Sequence, residues 1–105
     1  MKHVTAAELG DRIFIHHSDN ITVFDEEAMV VEQSLYQDQT SGEETTQTHA
    51  DDEVYFIASG SGTIRVGAET SEVSPGDVIY VDGGVEHGFF DIDEEIRALK
   101  VFASA

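Results

Sequence analysis

A chain of 105 residues has room for one domain and a modest core. Its 22 acidic residues against 5 basic ones give a formal net charge of −17, which repels nucleic acid and anionic membrane surfaces alike. No cysteine is present, so disulfides and thiolate metal ligands are excluded, and no apolar run approaches the ~20 residues of a membrane-spanning helix.

The opening residues, MKHVTAAELG, lack the apolar stretch of a signal peptide, so the expectation is a soluble cytoplasmic protein without membrane partners. The acids are scattered rather than gathered into a tail. That pattern reads as a hydrated, salt-adapted surface of halophile type, with a cation-buffering surface and a nucleic-acid mimic as rival readings.

In chain order, Thr5 and Glu8 have the spacing of a capping box, which predicts a short N-terminal helical turn over 5–9. Beyond it the chain reads as short strands rich in Val, Ile, Phe and Tyr, punctuated by Gly, Asp, Asn or Ser. The predicted strands are 12–16, 21–24, 29–36, 53–58, 63–66, 70–73, 77–81, 88–92 and 96–102. Such spacing predicts an all-β antiparallel barrel or sandwich. Between the third and fourth strands lies a long polar loop, QDQTSGEETTQ, a length that often serves function.

Two turn-like motifs carry no ligand. The glycines of GSGTIRVG are followed by neither a Lys-Ser/Thr pair nor a helix pattern, so they read as strand turns rather than a phosphate cradle. SPGD at 74–77 is a turn, with Pro setting its own φ. His3, His16 and His17 read as terminal or surface residues, the adjacent pair pointing to opposite faces on a strand.

The segment QTHADDEVYFIASG holds the chemistry. If the chain is extended there, Gln47, His49, Glu53 and Tyr55 share a face by parity. Further on, DGGVEHGFFD sets His87 at the start of a strand, with Phe89 and Asp91 on its face. Two imidazoles and one carboxylate converging from two strands suit a divalent metal with open positions.

At this point the residues resemble the cupin family, whose motifs have the forms G-x5-HxH-x3-4-E-x6-G and G-x5-PxG-x2-H-x3-N. His49, Glu53 and Gly60 match the second half of the first motif, and Gly76, Gly84 and His87 match the second. Gln47 stands where the family has its first His, Asp82 where Pro is usual, and Asp91 where Asn is common. The resemblance covers about half the chain. It implies a single cupin domain over 1–105, a cupin-type antiparallel β-barrel (double-stranded β-helix or jelly roll), and a homodimer. It further implies a metal held by His49, Glu53 and His87, with Gln47 as a fourth or outer ligand, Fe(II) or Mn(II) ahead of Ni, Co or Zn. Tyr55, Phe89 and Tyr80 are candidate pocket residues, and Arg65, with Arg97, a candidate anchor for a substrate carboxylate. The implied function is a dioxygenase-type enzyme on a small oxygen-rich metabolite. The alternatives are an isomerase or lyase on a sugar-derived acid, and a non-catalytic metal- or ligand-binding module.

Overall fold

The chain opens with a helix because its first turn is capped. The Thr5 hydroxyl accepts the backbone N–H of Glu8 at 3.2 Å and donates to the Glu8 carboxylate at 3.3 Å, a reciprocal arrangement close to a capping box. Helix α1 then runs Ala6–His16, longer than the single turn expected, and absorbs 12–16, which read as a strand. Ala6 and Ala7 are strong helix formers, and a nucleated helix extends at little cost per residue. The Arg12 guanidinium donates to the Thr22 carbonyl at 3.1 Å and fastens the helix to the sheet. The computed structural model describes residues 1–16, 20–37, 45–47 and 50–103, with the backbone alone at 13–16 and 45–47.

Seven strands follow: β1 (Asn20–Asp25), β2 (Met29–Tyr36), β3 (Thr45–Gln47), β4 (Glu53–Val66), β5 (Glu69–Val73), β6 (Val78–Val81) and β7 (His87–Ala103). Every pairing is antiparallel, in the order β1-β2-β7-β4-β5, with β3 also on β7 and β6 also on β4. This is the expected all-β jelly-roll architecture. Among the described residues the hydrogen bonding does not close into a ring, and the path ends at β1 and β5.

Two pairs of predicted strands prove to be single long ones. β4 takes in 53–58 and 63–66, and β7 takes in 88–92 and 96–102. The two pair along their whole length, Glu53 opposite Phe102 and Val66 opposite His87, with register shifts around Ser59 and Ser61. Gly60 sits at the shift with φ +91°, and a Cβ there would lie 2.1 Å from the Glu95 carbonyl oxygen. Only glycine fits.

The irregularity resets which residues face inward. Along β4 the buried side chains are Glu53, Tyr55 and Ile57, then Ile64. Along β7 they are His87 and Phe89, then Ile92, Ile96, Ala98 and Lys100, the change falling at Asp91, whose φ is +46°. Asp tolerates that left-handed conformation better than most side chains. The core between the faces gathers Tyr55, Ile57, Ile64, Phe89, Ile96 and Ala98, with Tyr36 packed against it.

Candidate functional site

His87 stands opposite Gln47 of β3 on one side and Val66 of β4 on the other. Glu53 begins β4, whereas Val66 ends it. Even so, Nε2 of His87 lies 2.9 Å from Oε1 of Glu53, and both side chains are 2% exposed or less. A strand that curls over at Gly60 brings its two ends to one place. The site is a consequence of that curl.

The His87 ring is oriented by its other nitrogen, which lies 2.9 Å from the Val85 carbonyl. A carbonyl only accepts, so Nδ1 carries the proton and donates. In the neutral imidazole this leaves the Nε2 lone pair beside the Glu53 carboxylate, near it but not directed along the line to Oε1. Two lone-pair atoms so close need a positive charge beside them, either a proton or a cation. Ligands about 2.1 Å from an ion and at right angles to each other stand about 3 Å apart, so the spacing fits a metal. Among the described residues, neither oxygen of Glu53 receives a directed hydrogen bond, although both are buried. Buried polar atoms are rarely left so, and a bound cation would satisfy them. The described residues do not by themselves bring three His, Asp or Glu side chains together.

A second contact locks the loop before His87. Asp52 accepts the Gly83 backbone N–H at 2.7 Å and also the Tyr80 hydroxyl. Gly83 packs so closely that a Cβ would lie 2.2 Å from the Ala50 carbonyl oxygen. The segment before Glu53 and the loop before His87 are therefore pinned to each other.

Aromatic rings wall the pair. Tyr55 meets His87 edge-on at 5.9 Å and Phe89 edge-on at 5.2 Å between centroids, and Phe89 lies 4.6 Å from Tyr36. Burial above all, reinforced by Tyr36 and the Glu53 carboxylate, pushes the Tyr55 phenol far above its usual range and keeps it protonated.

Residues 34–102 match the profile of the cupin domain family. The chain is a cupin. Over 60 residues this cupin is 48% identical to an uncharacterised protein of Streptomyces coelicolor, a match covering 57% of each chain. The cupin thus spans a little over half the length of that curated relative. Its fold resembles KdgF from Halomonas sp., with a TM-score of 0.70 at 16% identity over 82% of this chain and 77% of that one. It also resembles a putative mannose-6-phosphate isomerase from Ralstonia eutropha, with a TM-score of 0.66 at 22% identity over 83% and 86% of the two chains. At such identities the likeness concerns the fold alone.

The structure brings Glu53, His87, Tyr55 and Phe89 into one buried group. Gln47 reaches His87 through strand pairing rather than through shared parity with Glu53, because β3 ends at Gln47 and a bend at 50–51 precedes β4. His49 lies outside the described residues. Two expected pocket residues stand elsewhere. Tyr80 is 58% exposed on the outer face, bonded to Asp52. Arg65, beyond the parity change at Gly60, points outward and lies 3.7 Å from Glu86. Asp91 is exposed as well, since its left-handed backbone turns it away from the face of Phe89. The sequence reading missed Lys100, which is buried on the inner face. Its only signal was a lysine within a strand-like apolar run, IRALKVF, whose facing could not be read through the break at Asp91.

Proposed function

We propose that this cupin holds a divalent metal ion at Glu53 and His87, completed by His49 and Gln47, and acts on a small oxygen-rich metabolite as a dioxygenase-type enzyme. What supports this most is the Glu53–His87 pair, buried and 2.9 Å apart, with the Nδ1 proton committed to the Val85 carbonyl. Fe(II) or Mn(II) suits this donor set of imidazole, carboxylate and amide oxygen. When bound, the ion would supply Lewis acidity or activate oxygen or water. The remaining work falls to the chain's own residues. Val85 fixes the tautomer of His87, as outer partners of ligating histidines do. Tyr36, Tyr55 and Phe89 exclude water from one side, and Tyr55 presents a phenol that stays protonated beside Glu53.

An isomerase or lyase acting on a sugar-derived acid is the second reading, favoured by the buried cation Lys100. The protein is taken to be a homodimer, joined through the outer face of β4, β6 and β7. There Val54, Phe56, Val78, Tyr80, Leu99 and Val101 form paired rows without a charge, and Phe56, Val78 and Tyr80 are 41%, 66% and 58% exposed. Two copies of a chain carrying −17 meet most readily where neither presents an acid.

Metal analysis of protein purified without added metal tests the site. About one divalent ion per chain is expected, with His87→Ala and Glu53→Gln each lowering affinity at least tenfold. Trace metal that His87→Ala leaves unchanged would overturn the reading. With iron bound, oxygen uptake on catechols, flavonols or diketones supports the dioxygenase, whereas turnover of uronates without oxygen supports the second reading.

A further inference from the structure

We infer that Lys100 anchors an anionic group, a carboxylate in the first instance, of the molecule that Glu53 and His87 act on. The inference rests on reading that pair as a small-molecule site and adds the substrate's charge to it.

Register gives the position. Lys100 pairs with Tyr55 on one side and Glu32 on the other, and Phe102, two residues on, pairs with Glu53. Tyr55 and Glu53 face the core, so their cross-strand partners do too, and Lys100 is only 5% exposed. Lys100 and Glu53 are thus diagonal neighbours on the inner face, about 7–8 Å apart at the backbone. A ligand that touched both would need to be only a few heavy atoms long.

Charge gives the reason. Among the described residues Lys100 is the one buried lysine or arginine. Its ammonium lies 3.3 Å from the Glu32 carboxylate and 5.6 Å from the centre of the Phe102 ring. Glu32 is shared, since the Asn20 amide also donates to it at 3.4 Å, and it is 22% exposed, which opens the pair to solvent. A buried ion pair seldom stabilises a fold more than apolar residues of the same volume would. Stability alone is therefore a weak reason for a lysine here. The Lys100 ammonium carries three N–H donors, and one carboxylate, Glu32, does not exhaust them, which leaves donors for an anionic group of a ligand. On the same face the buried Tyr36 hydroxyl lies beside the Tyr55 phenol. Arg65 and Arg97 cannot serve, since one points outward to Glu86 and the other is exposed.

The test compares glucuronate with glucuronamide, and acetate with acetamide, by NMR titration of the full chain with its metal content measured in each sample. Each pair differs by a charge and little else. The native protein is expected to bind the acid at least tenfold more tightly than the amide, in line with a charge-assisted hydrogen bond. Lys100→Met should abolish that preference. Because it leaves Glu32 without its cation, the double variant Lys100→Met, Glu32→Gln serves as the folding control and should behave alike. An acid preference that survives in the double variant, or is missing from the native protein, overturns the role of Lys100. Native protein that keeps the preference without retaining metal would instead overturn the metal reading and leave Lys100 standing.

Discussion

Asp52 shows how one exposed side chain positions a buried site. It holds the Tyr80 hydroxyl and the Gly83 N–H, and these bonds, Tyr80 first, draw its carboxyl below the ordinary value of 3.8. A carboxyl depressed in the folded state adds stability that is present above its unfolded pKa and is lost as pH falls through the folded one. Urea unfolding from pH 7 down to pH 2 should therefore show Asp52→Asn losing less stability than the native chain below about pH 4. Parallel curves for the two proteins would rule the contribution out. Glu53 and His87 were legible as residues because their spacing to Gly60 and Gly84 is a pattern in the chain itself. Lys100 was not, because the side it faces depends on the turn of the backbone at Asp91.

At the scale of elements, the site depends on β4 and β7 being long strands that change face partway. The sequence reading divided each in two, since Gly60 and Gly62 interrupt one pattern and the acids at 93–95 interrupt the other. The divisions fell where the irregularities lie, and the pairing of the two strands carries them through as bulges. Gly60→Ala places a methyl group against the Glu95 carbonyl in a backbone conformation that alanine avoids. We expect a loss of about 3 kcal/mol or more, read from the urea midpoint. A midpoint within error of the native chain would show that the bend does not depend on glycine. The helix was misjudged in length for a related reason. Ile13, Phe14 and Ile15 have a strand-like composition, but the cap at Thr5 starts a helix that runs through them.

Across the whole molecule, charge governs what the fold can tolerate. With −17 on 105 residues, self-repulsion opposes both compaction and association, and salt screens it. The melting temperature should climb by several degrees or more between low and molar salt, and light scattering in molar salt should return about twice the 11.5 kDa of one chain. A melting temperature indifferent to salt, or a monomer mass in high salt, would count against the salt-adapted surface or the dimer respectively. The sequence by itself determined the strand-rich architecture, the cupin motifs and the identities of Glu53 and His87, because alternation and spacing are local properties of the chain. The tertiary structure decided which side of each strand meets the interior. It closed Glu53 onto His87 across the curl at Gly60, turned Tyr80 and Arg65 outward, and turned Lys100 in. Facing depends on every bulge between a residue and its partner strand, and a single register shift reverses it.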